Sequence, residues 1–122
     1  MTAEYQVDAS NRLVHTTFSG VVEHRDPIEN MLKLRVDPDF DPSFSELVEF
    51  TEDCQIRLNA THFRYLSQLD PFFSSSKRAL VVGSRQSVYG SARMFQLLSH
   101  EHRRVKIFAS MDEARLWLNA LP

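Results

Sequence analysis

The chain has 122 residues, 43% of them hydrophobic and 25% charged, and a formal net charge of −2 at pH 7. This length and composition predict one globular domain over residues 1–122 with a single core. The charge argues against a nucleic-acid partner, and no run approaches the ~20 apolar residues of a membrane span. The lone Cys54 cannot form an intramolecular disulfide, and the polar first residues lack the core of a signal peptide. We therefore expect a cytoplasmic protein without stable membrane insertion.

Two strands joined by a turn are predicted at the start of the chain. Residues 5–7 and 13–18 have strand-like composition, and the turn-forming residues 8–11 join them into a hairpin. In the second strand Val14 and Phe18 share one side because side chains alternate, and we expect that side to face the core.

The first helix is predicted to begin at Asp26 and Pro27, because Asp is a good N-cap and Pro is tolerated at the first helical position. It must end before residues 37–42, which contain two prolines. Its buried face is predicted from an apolar stripe that consists of Ile28, Met31 and Leu32.

The middle of the chain predicts a strand and a second helix. Residues 44–51 form the strand, and residues 52–57 are predicted to be irregular because they have no clear period. Asn59 suits the cap of a helix from Ala60 to about Asp70. Nine phenylalanines are expected mainly in the core; the alternative is a hydrophobic cavity lined by Phe63, Phe72, Phe73 and Phe95.

An unbroken apolar run from Arg78 to Val82 lies between Lys77 and Gly83. Its length and β-branched composition predict a strand buried on both faces, and we expect it to be the central strand of a parallel sheet. Open α/β sheets bind ligands beyond the carboxyl ends of their strands. Function is therefore expected first in the polar turn after Gly83.

A third helix, a strand and a capped helix complete the chain. The third helix is predicted to end near residues 102–104, and residues 105–109 predict the last strand. Ser110 and Glu113 form a capping box before the final helix. The helical stripes are Val88, Ala92, Phe95 and Leu98, and then Ala114, Trp117, Leu118 and Leu121. The predicted order is β-β-α-β-α-β-α-β-α.

This order, with several short motifs, resembles the sulfate-transporter and anti-sigma-antagonist (STAS) fold, and most closely its SpoIIAA-like branch. The motifs cover nearly the whole chain: Thr17-Phe18-Ser19-Gly20, Asp37-Pro38-Asp39-Phe40, Glu46-Leu47-Val48-Glu49, Arg78-Ala79-Leu80-Val81-Val82, residues 89–95 and residues 112–118. The resemblance implies an α/β single-domain sandwich, with a mixed five-stranded sheet, an N-terminal hairpin and about four helices. It also implies a bacterial cytosolic protein with a regulatory or protein-interaction role in place of catalysis, and it is compatible with a homodimer.

Members of this family that work by partner switching end their third strand in an aspartate and carry a phosphorylated serine at the start of the next helix. Here Glu49 takes the acid position, and the helix opens at Asn59 without a serine. Thr61 is the candidate phosphosite, since a helix N-terminus stabilises an anion. The alternative is that its hydroxyl bonds the backbone.

The candidate binding site consists of polar residues expected at the carboxyl edge of the sheet. They are Glu49 and Thr51 at one strand end, Ser84, Arg85 and Ser87 after the next strand, and Tyr89 and Arg93 on the following helix. One interpretation is structural, with Glu49 held by Arg93. The other is a site for a protein partner or for a small anionic or amphipathic ligand.

Other candidate sites lack the residues or the spacing that their chemistry requires. The three aspartates of residues 37–42 lack the glycine and the distal glutamate of a calcium loop, and His100 and His102 point apart on a predicted helix. Ser84 lacks a hydrolase elbow, and nothing local activates Cys54. We expect no metal, cofactor or catalytic site. Two functions stay open: a STAS-like interaction module, and a carrier or sensor of a small hydrophobic or amphipathic ligand.

Overall fold

The computed structural model describes residues 2–99 and 104–120, which form seven strands and four helices. The strands are β1 (Ala3–Asp8), β2 (Leu13–Phe18), β3 (Val21–Val22), β4 (Ser45–Phe50), β5 (Gln55–Ile56), β6 (Lys77–Val81) and β7 (Arg104–Phe108). The helices are α1 (Arg25–Arg35), α2 (Ala60–Leu69), α3 (Gln86–Leu98) and α4 (Met111–Asn119). The predicted α/β class, the hairpin and the four helices are confirmed.

The main sheet has five strands in the order β1-β2-β4-β6-β7. β1 is antiparallel to β2, and the other neighbours are parallel, so the sheet is mixed as predicted. All five residues of β6 are buried, but β4 is the middle strand. The prediction that β6 is central was wrong, because helices on both faces of a sheet bury any interior strand.

Two short strands form a separate pair that the sequence did not predict. β3 and β5 run parallel, with Val22 opposite Ile56. β5 lies within residues 52–57, which were predicted to be irregular. A strand of two residues is too short to show the alternation by which strands are recognised.

The two faces of the main sheet contact different helices. Val14, Val48 and Leu80 face α1, α2 and α3, whereas Leu47 and Ala79 face α4. This division follows from the alternation of side chains along each strand. Val14 is fully buried, which confirms its predicted side.

The first helix differs from its prediction in start and in face. It begins at Arg25, so Pro27 is its third residue and not its first. Its buried residues are Pro27, Asn30 and Leu34, whereas Leu32 is 47% exposed. An apolar stripe in the sequence could not predict the buried face of this helix, because the polar residue Asn30 lies in the middle of that face.

The caps by Asn59 on α2 and by Ser110 on α4 are confirmed, whereas only the Ser110 half of the predicted α4 capping box is present and the predicted end of α3 is wrong. Asn59 Oδ1 accepts from the His62 N–H at 2.9 Å, and Ser110 Oγ accepts from the Glu113 N–H at 3.2 Å. α3 ends at Leu98, before the predicted residues 102–104, and β7 already begins at Arg104. The apolar stripe of α3 likewise stops at Leu98. Leu121, predicted on the last helix, lies outside the described residues.

Candidate functional site

A cavity of about 80 Å³ lies between the sheet and the helices α1, α2 and α3. Its lining is mostly apolar and includes five phenylalanines: Phe18, Phe50, Phe63, Phe72 and Phe95. Three of the four phenylalanines predicted for a cavity are among them. The fourth, Phe73, is 55% exposed. It directly follows Phe72 in a turn, where its backbone N–H donates to the Pro42 carbonyl at 2.8 Å.

A buried ion pair forms the polar part of the cavity wall. Arg78 Nε and Nη2 donate to Glu46 Oε1 at 2.9 and 2.7 Å, and Thr16 Oγ1 donates to Glu46 Oε2 at 2.6 Å. Arg78 Nη1 also donates to Asp70 Oδ2 at 2.5 Å. The Arg78 side chain is only 3% exposed. Every charge in this cluster therefore has an opposite charge in direct contact.

The strand register explains why these groups meet. Glu46 on β4 is the parallel partner of Arg78 on β6, so both side chains emerge on the same face. The Arg78 guanidinium lies 4.2 Å from the centre of the Phe72 ring. Burial acts to lower the pKa of Arg78, but the carboxylates of Asp70 and Glu46 outweigh it. The pKa of Arg78 is therefore above its usual value, and the guanidinium stays charged.

Asn30 is a buried polar residue of α1 in the same wall. It is 8% exposed. It also lines a polar groove of about 310 Å³ between β1 and α1, to which Glu29 and Lys33 contribute. Asn30 therefore lines both the apolar cavity and the polar groove.

Arg85, which the sequence predicted at the site, clamps the carboxyl edge of the sheet. Its Nη1 donates to the carbonyls of Glu52 and Thr51 at 2.5 and 3.2 Å, and its Nη2 donates to the Cys54 carbonyl at 2.6 Å. The ends of β4 and β6 thus meet as predicted. The guanidinium therefore holds the loop after β4, because its N–H groups donate to three backbone carbonyls of that loop.

The predicted pairing of Glu49 with Arg93 is wrong. Glu49 Oε1 lies 3.0 Å from His15 Nε2, and Arg93 donates to the side chain of Gln96 on its own helix. Glu49 follows Val48 in β4, so its side chain emerges on the α4 face, whereas α3 packs on the opposite face. The sheet separates the two residues.

The other predicted site residues lie on the surface. Tyr89 and Arg93 are exposed on α3, with Leu97 at the same helical spacing and 64% exposed. The remaining exposed residues of the predicted sites are Ser84, Ser87 and the candidate phosphosite Thr61. Their roles in binding and in phosphorylation stay predictions.

Asp37 and Asp41, two of the three aspartates considered for metal binding, have hydrogen-bond partners. Asp37 accepts from the Tyr5 hydroxyl at 2.8 Å, and burial together with this bond raises the pKa of Tyr5 to about 12. No three potential ligands meet among residues 2–99 and 104–120. The predicted His100 and His102 pair lies outside those residues.

Burial raises the pKa of the Cys54 thiol.

A pair of stacked histidines joins the first turns of α1 and α2. The rings of His24 and His62 lie 4.1 Å apart and nearly parallel, and Tyr65 approaches His24 at 5.7 Å. His24 Nδ1 is buried and has no hydrogen-bond partner in the described structure. Burial, and to a smaller extent the charge of His62, lowers the pKa of His24.

Sequence reasoning missed the polar groups of the cavity. Glu46 and Arg78 carried a usable signal, because a charge inside an apolar strand must be paired when the strand is buried. Asn30 carried none, since asparagine on a helix is usually exposed.

No family model matches the chain, and no curated protein matches it. The fold and the site define it as a mixed α/β protein with an apolar cavity that contains a buried ion pair. Each helix in the described ranges is too short to cross a lipid bilayer.

Proposed function

We propose that the chain is a non-enzymatic binding protein that takes the apolar end of a small amphipathic molecule into the cavity. The observation that carries this proposal is the apolar cavity whose wall contains the carboxamide residue Asn30, which is 8% exposed. Binding sites for small molecules are commonly apolar clefts with a few placed polar groups. The cavity has this composition.

The volume limits what the cavity can hold. At about 80 Å³ it is smaller than the ~150 Å³ apolar cavity that binds benzene. It has room for a short aliphatic chain, while a larger ligand must extend beyond it. Asn30 also lines the polar groove, so a ligand that extends past this side chain would enter the groove.

The polar groups of the wall favour binding over catalysis. Arg78 and Glu46 have side-chain exposures of 3% and 8%, and both are held by several hydrogen bonds. A general acid or base must exchange protons with a substrate, and these two groups are committed to each other. They support the architecture of the cavity.

An amide NMR titration with butanol tests the proposal. We expect saturable shifts at cavity residues such as Phe63 and Phe95, and none at Leu116 on α4, which is 74% exposed. Ser91 lines the cavity and tests the site, because Ser91→Leu places an apolar side chain in the space. The variant should fold and lose the saturable shifts. Absence of saturable shifts in the unmodified protein, with butanol and with every other short-chain probe, contradicts the proposal.

A second candidate function is a STAS-like regulatory module that binds a protein partner, in a bacterial cytoplasm. The mixed sheet with its hairpin and four helices supports it, as does the exposed stripe of Tyr89, Arg93 and Leu97 on α3. Leu97→Glu should abolish a partner interaction detected by pull-down or self-association detected by sedimentation. Leu116→Glu on α4 is the matched control and should retain it. Equal binding by both variants excludes this stripe.

A further inference from the structure

We infer that the polar end of the ligand is uncharged, as in an alcohol, a primary amide or a ketone, and that Asn30 recognises it. This inference rests on the proposed function and adds the chemical class of the ligand. The sequence left open a small anionic or amphipathic ligand. An anionic ligand is thereby excluded, and an uncharged amphipathic ligand remains.

The cationic group in the cavity wall is already neutralised. Arg78 contacts two carboxylates, those of Glu46 and Asp70. A ligand carboxylate in the cavity would be a third anion beside one guanidinium. Repulsion between like charges is strong where water is excluded, so a carboxylate is disfavoured relative to an uncharged group of the same size.

A ligand cation is also disfavoured. The Glu46 carboxylate accepts two hydrogen bonds from Arg78 and one from Thr16, and the Arg78 charge lies directly against it. The remaining wall is mostly apolar, and its neutral amide and hydroxyl do not replace the water that an ammonium group loses on entry.

The groups left to bind a ligand are themselves uncharged. The Asn30 carboxamide supplies two donors and an acceptor, and the residue is 8% exposed in the cavity wall. The Ser91 hydroxyl also lines the cavity. Such groups match a hydroxyl, carbonyl or amide, and they do not balance a net charge.

A series of four-carbon probes with different polar groups tests the inference by amide NMR titration near pH 7. Butanol and butyramide should bind at least about tenfold more tightly than butyrate or butylammonium, a difference of about 1.4 kcal/mol. The variant Asn30→Leu keeps the branched arrangement of side-chain heavy atoms and removes the amide. It should weaken butyramide binding severalfold and leave the binding of pentane, which has no polar group, unchanged or stronger.

The outcomes separate this inference from the proposed function. If butyrate or butylammonium binds as tightly as butanol, the inference fails while the proposed function stands. If butyramide binds Asn30→Leu as tightly as the unmodified protein, Asn30 is not the recognition group. If no probe, pentane included, binds saturably, the proposed function itself fails. The probe series on the unmodified protein decides the charge question even if the variant does not fold.

Discussion

Arg78 Nη2 lies 2.7 Å from Glu46 Oε1 inside the protein, and neither side chain is more than 8% exposed. The contact joins the adjacent strands β4 and β6 on the face that lines the cavity. A charge of this kind is tolerated in an interior only when its partner is present. The pair therefore fixes both the stability of the sheet and the polarity of the cavity.

Removal of Arg78 should strongly destabilise the fold. Arg78→Met leaves Glu46 without its cationic contact and removes the contact of Arg78 with Asp70, and breaking a buried pair in this way costs about 3–5 kcal/mol. Arg93→Met is the matched control, since Arg93 is exposed and should change the free energy of unfolding by less than ~0.5 kcal/mol. Urea unfolding followed by circular dichroism measures both. Equal stabilities for the two variants contradict a buried, stabilising role for Arg78.

The last helix should be anchored by Trp117. Its ring packs against Phe108 with centroids 5.6 Å apart, and it belongs to the cluster around Leu47 and Ala114. Trp117→Ala should cost about 3 kcal/mol, the lower end for such a truncation because the ring is only half-buried. Ser110→Ala removes the α4 cap and should cost about 1 kcal/mol. Urea midpoints that rank the two variants in the opposite order rule out Trp117 as the main anchor.

Stability should fall on mild acidification through His24. Its pKa is lowered in the folded protein, first by burial and then by His62. The folded protein therefore binds this proton less readily than the unfolded chain, where the pKa is about 6.5. The contribution to stability is complete above about pH 6.5 and is lost as the pH falls toward the lower folded value.

The variant His24→Phe isolates this effect because it keeps a ring against His62 and removes the titrating group. Urea unfolding at about pH 7.5 and about pH 5 should show a smaller loss of stability in the variant than in the unmodified protein. The variant should match or exceed the unmodified protein at the higher pH, since Nδ1 is buried without a partner in the described structure. Identical pH dependence in both proteins shows that His24 titrates normally.

Arg85 should stabilise the loop after β4. Arg85→Met removes three hydrogen bonds to backbone carbonyls and should cost about 1.5–3 kcal/mol, the range for hydrogen bonds that involve a charged group. Ser84→Ala, at the exposed neighbouring position, should be nearly neutral. Hydrogen exchange of the Gln55 amide, which bonds the Gly20 carbonyl, reports the loop directly. Unchanged exchange in Arg85→Met argues that the clamp is dispensable.

Local rules in the sequence predicted most elements of the fold but little of the site. The Asn59 and Ser110 caps and the buried strand β6 depend on neighbouring residues, and they are present as predicted. The Glu49 and Arg93 pairing failed because it required knowledge of which sheet face α3 covers. The cavity depends on the packing of three helices on one face, and a pattern within a single segment does not contain that information.

The measurement that tests the central claim most directly is a search for intermolecular nuclear Overhauser effects between butanol and the protein. The account predicts contacts from the butyl protons to the rings of Phe63 and Phe95, and from the protons beside the hydroxyl to the Asn30 amide. These contacts should be absent in Ser91→Leu. Contacts only to exposed side chains such as Leu97 and Leu116, unchanged by Ser91→Leu, would show that the cavity binds nothing and would contradict the account.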